Sequence, residues 1–276
     1  MLADLINIIP YRYRDSIRRI PLVGALQRWI FKTAFRGNVD FRIKDGPAKG
    51  LVFPLRLPDD KLFWTGLWEK EFAERLASAT ESGAVCLDVG AYRGYFSGVM
   101  AVQGAGEVHC FEPNPENVAK LERLAKLNPN LSLQLHQLAL GDADGETEFV
   151  LMAEDTMGKL AKSSFQRERS AGSRFKVKLS KLDTLVSEGG IPLPSLIKVD
   201  VEGAERMFLD GAAATIERSR PTILLEYHSG PLARECAAFL EACGYRIEWL
   251  ETDDPKSLAD EAVGHFVAEV GDRRTD

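Results

Sequence analysis

The chain has no apolar run approaching the ~18 residues that mark a membrane-spanning helix, so an integral helical membrane protein is not expected. Its first residues lack a basic segment followed by an unbroken apolar core, which argues against a secretory signal. Cysteine is scarce, with four in 276 residues. Cys86 and Cys110 fall in expected strands, and Cys236 and Cys243 on one expected helix. Neither pair has the spacing of a metal knuckle, so buried packing and reduced thiols in a cytoplasmic protein are expected. A basic excess is lacking as well: the net charge is −6, which argues against a nucleic-acid partner.

The charge is uneven. Residues 1–37 carry seven Lys/Arg against Asp4 and Asp15, leaving 28 basic against 39 acidic residues in the remainder. Pro10 and Pro21 interrupt the amphipathic pattern of this basic arm. The arm reads as a helical cap or as a contact to a partner or a membrane periphery.

The most informative segment runs from Val85 to Phe96: a short apolar strand ending in Asp88, a glycine turn at Gly90, and a helix start at Gly94-Tyr95. A second strand, Val108–Phe111, ends in Glu112-Pro113-Asn114. Two strand-end carboxylates around a glycine turn suit an adenosine, with Glu112 accepting the ribose hydroxyls and Gly90 admitting the ligand against bare backbone. The G-x-G-x-x-G pattern that brings backbone N–H groups to a pyrophosphate is absent. Asp88 would repel a pyrophosphate but suits the cationic methionine end of S-adenosylmethionine, which makes a nicotinamide enzyme the weaker reading.

The rest of the chain alternates. A hairpin is expected around Asp45-Gly46-Pro47, then Trp64 and Trp68 with Gly66 between them as either a pocket wall or core packing, and a helix over Glu71–Ala79. Helices over Tyr95–Val102 and Pro115–Leu127 flank the second strand, the latter capped by Asn114. A strand is expected over Leu131–Leu140, and two more over Glu146–Met152 and Phe175–Leu182. These last two flank a polar loop, 154–173, that carries Lys159, Lys162, Arg167 and Arg169. Strand Leu196–Val201, helix Ala204–Ile216, strand Thr222–Tyr227 and helix Leu232–Ala242 follow. An antiparallel pair, Arg246–Leu250 and His265–Val270, closes the pattern. Such alternation predicts an α/β, doubly wound, mostly parallel sheet.

Within Leu196–Glu205, Lys198, Asp200 and Glu202 share one side of a strand that should be covered on both faces, so they need partners or a use. Glu226 and His228 end the next strand beside them. His228 is a candidate proton acceptor. Asp200, Glu226 and His228 would alternatively hold a divalent cation that acidifies a substrate hydroxyl.

Together these residues resemble the FkbM family of S-adenosylmethionine-dependent methyltransferases. The likeness is carried by Asp88-Val89-Gly90-Ala91 with Gly94-Tyr95, by Phe111–Asn114 and by Ala139-Leu140-Gly141-Asp142. It continues through Leu182-Asp183-Thr184-Leu185, Ile197–Glu205, and Pro221–Glu226 with His228, over roughly residues 40–250. The resemblance implies a seven-stranded, Rossmann-like sheet with a reversed last strand, and methyl transfer to a hydroxyl of a sugar, glycan or secondary metabolite. It assigns cofactor contacts to Asp88, Gly90, Ala91, Tyr95, Glu112, Pro113, Asn114, Ala139 and Leu140. Lys198, Asp200, Glu202 and His228 become the catalytic group, with Trp68, Glu69 and Glu226 toward the acceptor. Tyr92-Arg93 departs from the family's usual small polar and aliphatic residues.

The expected organisation is an extension (1–37), a hairpin and helix cap (38–82), a methyltransferase domain (83–271) with an insertion (143–182), and a tail (272–276). A non-catalytic scaffold docking at a membrane-associated glycan assembly is the alternative, separated by whether the chain binds S-adenosylmethionine.

Overall fold

The computed structural model describes residues 37–57, 59–151, 158–160 and 173–271, together with Tyr13 and Ser16. Apart from Tyr13, Ser16 and Gly37, the expected helical arm 1–37 lies outside the described residues, as do most of the loop 154–173 and the tail 272–276. A hairpin of β1 (Gly37–Arg42) and β2 (Val52–Leu57) leads into α1 (Lys61–Thr65) and α2 (Lys70–Ala79). The alternating core begins with β3 (Val85–Val89), α3 (Tyr95–Val102), β4 (Glu107–Phe111), α4 (Pro115–Leu127) and β5 (Leu133–His136). Next come β6 (Ala139–Leu140), β7 (Gly145–Leu151), β8 (Gly158–Leu160), β9 (Arg174–Ser180) and α5 (Leu182–Ser187). The chain then returns through β10 (Leu196–Val199), α6 (Glu205–Gly211), α7 (Ala213–Ser219), β11 (Thr222–Tyr227), α8 (Gly230–Ala242), β12 (Tyr245–Trp249) and β13 (Gly264–Val270).

Seven strands form the main sheet in the order β12-β13-β11-β10-β3-β4-β5. β13 runs antiparallel to both neighbours, and the other strand pairs are parallel. This is the doubly wound sheet with a reversed closing strand that the alternation led us to expect. The period-two alternation of strand side chains divides the core between the two faces. Cys86, Cys110 and Leu196 pack on one face with Phe53, Phe72 and Met100. Leu87, Val89, Ile197 and Val199 pack on the other with Phe208, Tyr227 and Leu232. Lys198 therefore lies on the first face, and the parallel register sets it directly opposite Asp88.

Local punctuation accounts for the element ends. Asn114 caps α4 by accepting the Glu116 N–H at 3.0 Å, with Pro115 at the first helical position. Asp183 caps α7 from a distance in sequence, accepting the N–H groups of Ala214 (3.0 Å) and Thr215 (2.7 Å). The four cysteines are free, and all but Cys243 are buried.

Three expectations are corrected. The single strand over 131–140 is two: β5 joins the main sheet, whereas β6 pairs with β9 in a separate four-stranded sheet ordered β6-β9-β7-β8. The helix over 204–216 breaks at Ala212, where the Gly141 carbonyl packs against Gly211 so closely that a Cβ there would lie 1.8 Å from it. The segment after β9, read as strand through Leu182, turns into α5.

Candidate active site

A cavity of about 960 Å³ opens at the carboxyl ends of β3, β4, β10 and β11, the edge where open α/β sheets bind ligands. Of the residues singled out in the sequence, Gly90, Glu112, Pro113, Ala139 and Leu140 line one part of its wall. Asp200, Glu202, Glu226, His228, Trp68 and Glu69 line another.

Glu112 follows the last residue of β4 and is 5 % exposed. Its Oε2 accepts the Tyr92 N–H at 2.8 Å and its Oε1 the Asn114 N–H at 2.9 Å. Burial raises its pKa to about 7, against the opposing pull of those two backbone donors. The wall beside it is apolar, formed by Phe111, Pro113, Leu138, Ala139 and Leu140. A buried carboxylate thus borders an apolar slot.

The glycine turn is braced from behind. Gly90 (φ 80°) lines the cavity, but a Cβ on it would lie 1.7 Å from the Asp200 carbonyl. The close approach of the β10 end thus demands glycine here, where the sequence had suggested approach by a ligand. Tyr92 adopts φ 48°, and Arg93 forms a paired contact with Asp60 at 2.7 and 2.8 Å while donating to the Pro54 carbonyl at 2.7 Å. The departure at Tyr92-Arg93 is therefore a strut tying the turn to the N-terminal hairpin. Glu69 and Glu202 also have positive φ, so three of the four non-glycine residues with this strain among those described stand on the cavity wall. Strain of this kind concentrates at functional sites.

Five of the expected contact residues do not line the cavity. Asp88 is fully buried, 3.0 Å from Lys198 Nζ, and accepts the Ser97 hydroxyl at 2.5 Å. It faces the core and not the cavity. Lys198 is 1 % exposed and donates to the Gly90 carbonyl at 2.8 Å, with Asp200 at 3.5 Å. Burial opposes its charge, but Asp88 and Asp200 outweigh that and raise its pKa. A lysine so enclosed positions the turn and Asp200; it does not reach a ligand. Tyr95 packs against Phe53, Phe63 and Phe96 in the core, the Asn114 side chain caps a helix, and Ala91 is buried within the turn, its N–H donated to the Phe111 carbonyl.

Beyond β10 and β11 the side chains converge. His228 Nε2 lies 3.2 Å from Glu202, and 3.8 Å from both Asp200 and Glu226. Its Nδ1 is 2.6 Å from Glu205, a fully buried acid at the start of α6. Burial alone would lower the histidine's pKa, but Glu205, then Glu202 and Asp200, raise it to about 10. His228 is thus an imidazolium at neutral pH in the ligand-free protein, not the near-neutral base expected from sequence. Burial, with Asp200 nearby, raises Glu202 to about 8 and lifts Glu226 as well. The sequence reading missed Glu205, Arg93 and Asp60 as partners. Glu205 carried a signal, an acid three residues after Glu202 on the same turn.

The reversed-strand sheet, the cavity at its carboxyl edge and the strand-end Glu112 define the class I methyltransferase type of protein. Within that class, the model of the "Methyltransferase FkbM domain" matches residues 88–247, and the chain belongs to the FkbM methyltransferase family. It is 26 % identical to the hexuronic acid methyltransferase AglP of Haloferax volcanii, over 59 % of this chain and 63 % of that protein. It is 25 % identical to the 2-O-methyltransferase NoeI of Sinorhizobium fredii, over 55 % of this chain and 72 % of that one. The chain therefore spans just under two thirds of AglP. A solved FkbM methyltransferase from Methylobacillus flagellatus is similar with a TM-score of 0.45 at 16 % identity, covering 93 % of this chain and 70 % of that one. Among the described residues, no helix is long and apolar enough to cross a membrane.

Proposed function

We propose that the protein is an S-adenosylmethionine-dependent O-methyltransferase whose acceptor is a sugar hydroxyl. One observation carries this reading: Glu112 and the Asp200–Glu202–Glu226–His228 group line the same cavity. A ribose-holding carboxylate and a proton-accepting group thus share one cavity. The family membership and the names of the two curated relatives, both methyltransferases and one acting on a hexuronic acid, support it.

The methyl donor, when bound, supplies a cationic sulfonium whose methyl is open to attack by an oxygen. Glu112 accepts the ribose hydroxyls, and Phe111, Leu138 and Leu140 cover the adenine. Asp88 cannot meet the methionine end, so the opposite-charge role passes to the acids past β10. Asp200, aligned by Lys198, takes the proton of the acceptor hydroxyl, while cationic His228 holds Glu202 and Glu205 in place. Most of the acceleration comes from orientation and from exclusion of water.

The test is transfer of labelled methyl from S-adenosylmethionine to a panel of hexuronic acid and neutral sugar glycosides. Wild type is expected to label at least one of them. Asp200→Asn is expected to keep affinity for S-adenosylhomocysteine and to lose at least tenfold in transfer, since positioned general bases contribute about 10²–10⁴-fold. An Asp200→Asn variant of undiminished rate removes that residue from the mechanism.

A pH dependence follows from Glu112. In the ligand-free protein its pKa is raised from 4.5 to about 7, so below that pH a proton must leave before the ionised form can accept two hydroxyls. Affinity for S-adenosylhomocysteine is expected to rise with pH, by up to about tenfold per unit, and to level off above pH 7. Calorimetric titrations from pH 5 to pH 8 check it, and a flat profile contradicts it.

A further inference from the structure

His265 begins the reversed strand β13, and the antiparallel register sets it directly opposite Glu226 of β11. Its Nδ1 is 2.6 Å from Glu251 Oε1, and its backbone N–H donates to Glu251 Oε2 at 2.7 Å. The ring packs on Phe72 at 4.4 Å between centroids. The ring is therefore fixed with Nε2 aimed inward; burial opposes its charge, but Glu226, Glu251 and Glu69 raise its pKa to about 12, so a cation there would displace a proton. That Nε2 makes no hydrogen bond among the described residues, although His265 is only 9 % exposed. It faces Glu69 Oε2 and Glu226 Oε2, each at 3.6 Å, and Glu69 Oε2 likewise has no hydrogen-bond partner.

The opposite oxygen of Glu226 repeats the arrangement. Glu226 Oε1 lies 3.8 Å from His228 Nε2, with Asp200 Oδ1 also at 3.8 Å, and His228 Nδ1 is held by Glu205 at 2.6 Å. Each histidine thus has a carboxylate on Nδ1 and directs Nε2 at carboxylates, Glu69 and Glu226 for His265, and for His228 Glu202 at 3.2 Å with Asp200 and Glu226 behind it at 3.8 Å, an arrangement by which proteins orient metal-ligating imidazoles. Separations of 3.6–3.8 Å are too long for hydrogen bonds. Two ligand atoms about 2.0–2.2 Å from a common ion, at tetrahedral or somewhat wider angles, lie about 3.4–3.8 Å apart. In both triads, Asp200–Glu226–His228 and Glu69–Glu226–His265, the ligand atoms fall within 4.8 Å of one another.

We propose that Glu226 bridges two divalent-cation positions, one completed by Asp200 and His228, the other by Glu69 and His265. A donor set of imidazole and carboxylate suits Mn²⁺, Fe²⁺, Co²⁺ or Zn²⁺. The first position opens on the cavity; filling it displaces the His228 proton and occupies Asp200, so that the ion would coordinate and acidify the acceptor hydroxyl in place of Asp200 acting as base, a use that rests on the methyltransferase reading, whereas the binding itself does not. The second lies behind it, since His265 does not line the cavity, and it anchors the shared carboxylate.

The experiment is equilibrium dialysis of the metal-stripped full chain against Mn²⁺, followed by elemental analysis, with thermal melting to verify that each variant is folded. Wild type is expected to take up two Mn²⁺ per chain. His265→Gln and Asp200→Asn are each expected to keep one, and Glu226→Gln to weaken both by at least tenfold. Wild type taking up one Mn²⁺ or none overturns the proposal, as does His265→Gln retaining two. A parallel titration with S-adenosylhomocysteine in chelator separates the two readings. A protein that binds it but takes up no Mn²⁺ refutes the cation sites alone, whereas two Mn²⁺ without it sustain the sites and contradict the proposed function.

Discussion

Lys198→Met is expected to lower the unfolding free energy by about 3–5 kcal/mol, the loss seen when one member of a buried ion pair is removed. The lysine is nearly inaccessible, and its ammonium lies within 3.0 Å of Asp88 and donates to the Gly90 carbonyl at 2.8 Å. Methionine fills the space of the stem but leaves Asp88 buried with only the Ser97 hydroxyl for company. The double variant Asp88→Asn/Lys198→Met removes the stranded charge and is expected to recover a large part of the loss. Urea unfolding of the single and double variants checks this. A single-variant loss below about 1 kcal/mol would show that the pair does not hold the two strand ends together.

The same pair shows what the sequence conveys and what it withholds. Three ionisable groups on one side of Leu196–Glu205 had to be paired or used, and strand alternation alone assigned them to one face. Which acid meets Lys198 depends on the register between β10 and β3, two strands separated by more than a hundred residues. Read locally, Asp88 looked like a ligand group because it stands next to a glycine turn. Its place in the register makes it a core residue.

Elements with their own punctuation were legible to the residue: β3, α3 behind Gly94, and α4 behind Asn114-Pro115. The division of 131–140 between two sheets was not, because both halves have strand character and only their destinations differ. Glu112 was legible as a cavity-wall residue because it stands just past the carboxyl end of a parallel strand, the edge where such sheets open. His265 was invisible for the opposite reason. It stands near the end of the chain, and only the antiparallel pairing of β13 with β11 sets it against Glu226.

Glu112→Ala is expected to weaken binding of S-adenosylhomocysteine by 100-fold or more. Hydrogen bonds to a charged acceptor contribute about 1.5–3 kcal/mol each, and two ribose hydroxyls are lost at once, against about 2.7 kcal/mol for a hundredfold change. The substitution also frees the Tyr92 and Asn114 N–H groups, which loosens the glycine turn and the start of α4. Glu112→Gln keeps the shape while exchanging one acceptor for a donor, and an intermediate loss is expected of it.

The central claim is that this cavity takes up a methyl donor at the tip of β4. Calorimetric titration of the wild-type chain and Glu112→Ala with S-adenosylhomocysteine at pH 8 tests it most directly. The account predicts one site per chain in the wild type and at least a hundredfold weaker binding in the variant. A wild-type chain that gives no binding heat, or a variant that binds as tightly as its parent, would contradict it.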